Sequence, residues 1–197
     1  NVINLLRMLT KMADNEFPKY VESSWKKVMD LKGGENSHLK ADLLAAVNSE
    51  GVGLGRDVYS PEIDLGAKAR VPGWINIGDM ATCLRASIGL GDVYKDSRTP
   101  HIAVASKHTR PVIIANGRTQ LESIIKAIAG DLNSPFGGIW GFNTPLTKET
   151  ADFFNRPDMF FEGMMAPEYE AGTADKLKDK HKNRFLMRTG IITYADL

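Results

Sequence analysis

His101-Ile102-Ala103-Val104-Ala105-Ser106-Lys107-His108, followed by Val112-Ile113-Ile114-Ala115, is the stretch on which the fold class turns. His101 to Ala105 alternates and then leads into Ser106-Lys107-His108, the pattern of a strand ending in a loop. Val112 to Ala115 is a second short apolar run, closed by Asn116-Gly117. Downstream, Leu121, Ile124, Ile125 and Ile128 recur at helical spacing and predict a helix over 119–129 with those residues as its buried face. Ser134 to Asn143 reads as a loop entering a buried strand. Thr147 opens another helix with Glu149 in its first turn, where a negative charge is favoured. Phe160 to Ala166 is expected as a strand broken by Pro167, 171–181 as a polar helix, and Arg184 to Arg188 as the last strand.

Upstream, Asn76 or Asp79 is expected to cap a helix running to about Ile88, with Gly89 and Gly91 closing it. Residues 50–73 hold five glycines and two prolines, so a long connection carrying one short strand is expected there. Lys32 to His38 is turn-rich. Val2, Leu5, Leu6, Met8, Leu9 and Met12 recur at helical spacing, and Pro18 opens a second helical stretch from Lys19 to Leu31 with Tyr20, Trp25 and Val28 on one face. The expected organisation is therefore an N-terminal helical segment, 1–31, and an α/β domain, 32–197. Alternating helices and short apolar strands favour a three-layer αβα arrangement with a mostly parallel mixed sheet.

The 197 residues carry 25 Lys and Arg against 24 Asp and Glu, a net charge of +1. A duplex binder normally shows a basic stripe, so nothing in this balance calls for nucleic acid. No run of eighteen apolar residues exists, and a membrane span is not expected. One cysteine, Cys83, excludes an intrachain disulfide and fits a reducing compartment, with cytoplasm the default. The four histidines, His38, His101, His108 and His181, show no metal-ligand spacing, and no zinc site is expected. Gly51-Val52-Gly53-Leu54-Gly55 lacks the Gly-Lys-Ser/Thr ending of a phosphate-binding loop and reads as flexible loop. Lys176, Lys178, Lys180 and Lys182 alternate with Asp175 and Asp179, the pattern of a solvated helix face.

Lys107-His108 is the pair that chemistry singles out. It lies at a strand end, where α/β proteins place site residues, and joins a cation to a group able to exchange protons near neutral pH. The alternative is a solvated lysine beside a histidine that merely packs. Pro135-Phe136-Gly137-Gly138 carries two glycines that permit close backbone approach to a ligand or a strand, the alternative being a tight turn.

Several segments together resemble the transformylase region of the bifunctional AICAR transformylase/IMP cyclohydrolase family. Ser106-Lys107-His108-Thr109-Arg110-Pro111 falls where that family has a Lys-His-x-x-Pro motif. Gly34-Glu35-Asn36-Ser37-His38-Leu39-Lys40-Ala41 is similar to its Arg-Tyr-Gly-x-Asn-Pro-His-Gln segment. Pro72-Gly73-Trp74-Ile75-Asn76-Ile77-Gly78-Asp79 looks like its asparagine-containing stretch before a helix. Ser134-Pro135-Phe136-Gly137-Gly138, with Asn143 five residues on, resembles its Ser-x-Phe-Gly-Gly stretch and following asparagine. Phe161-Glu162-Gly163-Met164-Met165-Ala166-Pro167 resembles its acidic strand ending in Ala-Pro. The matches run in the family's order from about residue 30 to 188.

The resemblance implies a lobe with a cytidine-deaminase-like fold lacking the zinc motif, and one lobe of two. It implies formyl transfer from 10-formyltetrahydrofolate, as co-substrate, to the amino group of AICAR in purine biosynthesis. His108 would relay the amine proton, and Lys107 would supply charge at the carbonyl oxygen. Lys32, Gly34, Asn36, His38, Gly137, Gly138, Asn143 and Glu162 would serve substrate binding. A second lobe, a cyclohydrolase domain and a homodimer are the implied partners. Two positions depart from the family pattern: Lys32-Gly33 stands where the family has Arg-Tyr, and Ser37 where it has proline. A non-catalytic nucleotide-binding relative of the same fold is the alternative those departures motivate.

Overall fold

A computed structural model describes residues 25–33, 38, 40–46, 71–180 and 184–192. In chain order the elements are β1 (Trp25–Leu31), β2 (Ala41–Ala46), α1 (Trp74–Tyr94), β3 (His101–Lys107), β4 (Arg110–Gly117), α2 (Gln120–Gly130), β5 (Ile139–Phe142), α3 (Lys148–Phe154), β6 (Gly163–Ala166), α4 (Thr173–Lys180) and β7 (Phe185–Arg188). β1 and β2 form a two-stranded antiparallel sheet, and the other five strands form a second sheet in the order β4-β3-β5-β6-β7.

That five-stranded sheet is mixed, and its two halves differ. β5, β6 and β7 pair in parallel, whereas β3 runs antiparallel to both β4 and β5. The sheet is thus mixed as expected, with β3 the one strand opposed to the other four: β3 and β4 are joined by a two-residue turn, which only antiparallel strands allow. Helices cover both faces, giving three layers. On one face α1 packs Met80, Cys83, Leu84 and Ile88 against Ile102, Val104, Ile139, Met165, Phe185 and Met187. On the other, residues of α2, α3 and α4 enclose Trp140, Phe142, Phe154 and Phe161. Alternation along each strand sends Ile102, Val104 and Ile139 to the first core and Ala103, Ala105 and Trp140 to the second, the period of two that a pleated strand imposes.

Four expectations are corrected. Trp25 to Leu31 is strand rather than helix, because its backbone pairs with β2 across a bulged register from Trp25↔Ala46 to Leu31↔Ala41. Residues 1–24, on which the rest of the expected N-terminal helical segment falls, lie outside the described residues, as do 47–70, the expected long connection. α1 neither starts at Asn76 or Asp79 nor stops near Ile88: its N-cap is Gly73, and it runs through Gly89 and Gly91 to Tyr94. Gly91 is where the helix passes the end of β5, and a Cβ there would stand 2.7 Å from Asn143 Nδ2. Its glycine therefore serves close approach rather than termination. The buried face of α2 is Gln120, Ser123, Ile124 and Ala127, with Ile125 half-exposed. Gln120 is drawn in because its side chain donates to the Thr144 and Pro145 carbonyls and accepts from the Thr147 amide. Finally, the strand expected over 160–166 is confined to Gly163–Ala166.

Among the described residues no helix is long and apolar enough to cross a membrane, and no three His, Cys, Asp or Glu side chains are grouped to hold a metal ion.

Candidate functional site

The β3–β4 connection is the centre of the site. Lys107 pairs with Arg110, leaving His108 and Thr109 as a two-residue loop, and both have positive φ, 53° and 62°. This is the left-handed geometry that a two-residue hairpin requires and that Asn-Gly normally supplies. Neither residue here is glycine, and for β-branched Thr109 the conformation is an outlier. Such backbone strain is of the order of 1–3 kcal/mol per residue and persists only where surrounding contacts over-determine it.

Those contacts come from the first turns of α1. Asp79, 6% exposed, accepts through Oδ1 from the Thr109 amide at 2.7 Å and from the Ser106 hydroxyl at 2.8 Å. Thr82 Oγ1 lies within donating distance of the Thr109 carbonyl at 3.2 Å. The Thr109 methyl rests on Gly78, where a Cβ would come within 2.7 Å of it. Beside the turn, β4 carries an extra residue, since Ala105 pairs with Ile113 and Ser106 with Pro111. A bulge on an edge strand also accommodates Pro111, which has no amide to offer.

Lys107 leads from the turn into the second part of the site. Its ammonium donates to the Phe136 carbonyl at 3.0 Å, and its Cγ lies 3.1 Å from where a Cβ on Gly138 would be. A side chain at 138 would therefore crowd the lysine stem and the Ser106 carbonyl, 3.0 Å away, and would have to displace them slightly. Gly137 has φ 74°, and its amide donates to the Phe160 carbonyl at 2.9 Å. The Gly138 carbonyl accepts from the Glu162 amide at 3.1 Å. The exposed Glu162 carboxylate in turn accepts from Asn76 Nδ2 at 2.9 Å, while Asn76 Oδ1 accepts from the Gly73 amide. The N-terminus of α1 thus touches both the turn and the Gly137-Gly138-Glu162 strand entry.

Lys32 is brought to the same helix end. Its amide donates to the Pro72 carbonyl at 3.1 Å, its carbonyl accepts from the Trp74 amide at 3.0 Å, and the Trp74 indole donates to the Gly33 carbonyl at 3.1 Å. His38 is an exposed turn residue. Gly34 and Asn36 lie outside the described residues. Of the sequence-expected site residues, the structure gathers Lys107, His108, Gly137, Gly138 and Glu162, with Lys32 at the neighbouring helix end. Asn143 is not among them. It lies at the far end of β5, where Ala103 pairs with Phe142, and its amide group is engaged by the Ile102 amide and the Pro100 carbonyl.

The expectation that the site opens at carboxyl ends of strands needs amendment, because β3 is antiparallel to β5. The carboxyl end of β3 therefore lies beside the amino ends of β5 and β6, and the polar cluster forms at that mixed edge. Thr82 is a residue that the sequence reading missed, and Asn76 and Asp79 entered it as helix caps and as part of the Pro72–Asp79 segment, not as site residues. Their signal is the three-residue spacing 76, 79, 82, which sets polar side chains on one side of a helix otherwise rich in apolar residues. Cys83, next on the helix, takes no part. It is buried with its thiol against the Val104 and Ile139 carbonyls, and burial first, then the nearby Asp79 charge, pushes that thiol far above its ordinary range. His101, at the opposite end of β3 from Lys107, is held below its usual range by partial burial.

In chemical terms the site offers an ammonium, an imidazole and a carboxylate beside a glycine backbone on which Lys107 packs. An ammonium aimed at a developing oxyanion, with an adjacent proton carrier, suits acyl transfer.

The chain matches the model of the AICARFT/IMPCHase bienzyme family over residues 2–194, and it belongs to that family. It is 31% identical over 180 residues to the bifunctional purine biosynthesis protein PurH of Rhodopirellula baltica, a match covering 89% of this chain and 31% of that protein. To the protein of the same name from Chlorobium phaeovibrioides it is 31% identical over 166 residues, covering 84% and 29%. The chain thus spans about a third of the length of these relatives. Among solved structures, a dCMP deaminase from cyanophage S-TIM5 overlaps 53% of this chain and 97% of its own, at 9% identity and a TM-score of 0.39, a likeness too slight to bear on the fold described above.

Proposed function

We propose that this chain forms one lobe of a formyltransferase acting in purine biosynthesis, which moves the formyl group of 10-formyltetrahydrofolate onto the amino group of AICAR. The observation that carries this reading is the pairing of Lys107, fastened at 3.0 Å to the Phe136 carbonyl and lying across Gly138, with His108 exposed on the adjoining turn. The AICAR amine attacks the formyl carbon, forming a C–N bond and placing negative charge on the former carbonyl oxygen. Lys107 stabilises that oxyanion. His108 takes the proton that the amine must lose and returns it to the departing folate nitrogen as the tetrahedral adduct collapses. Formyl-AICAR and tetrahydrofolate result, with no net proton change.

Glu162 and the glycine backbone at 137–138 supply the nucleotide wall, with Lys32 as a point charge toward the phosphate. The remainder of the site comes from a second lobe, and the protein works as a homodimer in the cytoplasm. Formation of formyl-AICAR by the full-length protein is the test. His108→Ala is expected to lower kcat by roughly 10²–10⁴-fold with the fold intact, and undiminished turnover in that variant overturns the mechanism.

A second reading rests on Lys32-Gly33 standing where the family has Arg-Tyr. A lysine lacks the fork with which arginine grips phosphate, so the lobe would bind a nucleotide without turnover. Calorimetry with AICAR distinguishes the two: binding without formyl transfer by the full-length protein favours the module.

A further inference from the structure

We infer that Asp79 is a positioning residue that holds the His108-Thr109 turn in its left-handed conformation and so aims Lys107 and His108. This rests on the formyltransferase reading for its consequence, though not for its geometry. Lys107 ends β3, and His108 opens the two-residue turn to the edge strand; both turn residues have positive φ and neither is glycine. The chain itself therefore disfavours this conformation, and something outside the hairpin must maintain it.

Asp79 is the group placed to do so. One of its oxygens receives both the amide of the second turn residue and the hydroxyl of Ser106, the residue before Lys107. Ser106 Oγ also lies 3.0 Å from the Arg110 carbonyl, just past the turn. A single carboxylate oxygen thus ties the end of β3 to the second turn residue. Bonds to a charged acceptor are about twice as strong as neutral ones, and Asp79 and Ser106 are themselves buried. Gly78 and Thr82, one residue before and three after, complete the seat by contacting the Thr109 methyl and carbonyl. These contacts reach the site by way of the turn.

The test uses the full-length protein. Asp79→Ala is expected to lower kcat for formyl transfer by about 100-fold while KM for AICAR changes less than about threefold, at a temperature where the variant is fully folded. Adding Thr109→Gly is expected to restore at least a tenth of the lost kcat, because glycine adopts positive φ without support. An unchanged kcat in Asp79→Ala overturns the proposal, as does a loss that Thr109→Gly fails to recover. Should Asp79→Ala not fold, Asp79→Asn, which retains an oxygen acceptor, carries the same comparison with an expected loss of severalfold. If the wild-type protein shows no formyl transfer, the reading of function fails, and crystal structures of the same variants decide the positioning: a turn unaltered in Asp79→Ala overturns it, and a rearranged turn that Thr109→Gly returns to positive φ supports it.

Discussion

The two faces of the five-stranded sheet are built on opposite plans. The face under α2, α3 and α4 is filled by aromatic volume: Phe154 stands edge-on to Trp140, Phe142, Phe153 and Phe161 with ring centroids 5.0–6.2 Å apart. Arg184 closes that layer, its guanidinium 3.8 Å from the centre of the Phe161 ring and bonded to the Leu177 carbonyl and Asn155. The face under α1 is instead thin. Gly141 and Gly163 replace side chains with contact, and a Cβ at Gly141 would come within 2.5 Å of Cys83 Cβ. Thickness on one side supplies hydrophobic burial. Closeness on the other brings Asp79, Asn76 and Gly78 within reach of the β3–β4 turn and of Glu162.

The contrast can be broken from either side. The largest effect on stability is expected from Phe154→Ala, which empties the middle of the aromatic layer. Denaturant unfolding should show a loss of about 3–5 kcal/mol, while the folded fraction keeps its turnover because the α1 face is untouched. A smaller stability loss with a larger functional one is expected from Gly141→Ala. The added methyl lifts α1 from the sheet, at about 1–3 kcal/mol for overpacking, and turnover should fall by more than the unfolded fraction explains. Equal losses in both measurements would mean that the closeness of α1 is immaterial to the site.

Two finer predictions concern the thick face. Thr119 caps α2 by accepting from the Glu122 amide, and Thr119→Ala should lower stability by about 1 kcal/mol without altering turnover. Glu122 is held down to about 2 by Lys126 first and then Arg118. A carboxylate depressed in the folded state stabilises the fold above its ordinary value of 4.5 and loses that contribution as pH falls toward 2. The thermal midpoint should therefore decline over that window. Glu122→Gln should flatten part of the decline, and the difference should shrink in high salt, since the group is solvent-screened.

Much of the β3-to-β7 region was legible because its signals are local. Thr119 and Thr147 each precede a helix as caps, and Ile139 to Phe142 is an unbroken apolar run that became a strand buried on both faces. The Lys107-His108 pair was legible as chemistry at a strand end. The hairpin was not, because its turn carries no glycine or asparagine: the conformation comes from Asp79, thirty residues away in sequence. Helix α1 was misjudged for a related reason. Gly89 and Gly91 look like a stop when read along the chain, yet Gly91 is small to clear Asn143. Trp25 to Leu31 has apolar residues at helical spacing, and pairing with β2 overrode that local tendency.

From the order of its residues alone, this chain specified alternating elements, two apolar faces per strand and a cation beside an imidazole, because periodicity and residue chemistry act over a few positions. Sheet order, the antiparallel β3, the exclusion of Asn143 from the site and the seat beneath the His108-Thr109 turn were decided only by tertiary structure. Each depends on groups distant in sequence meeting across a sheet whose thin face lets a helix come close.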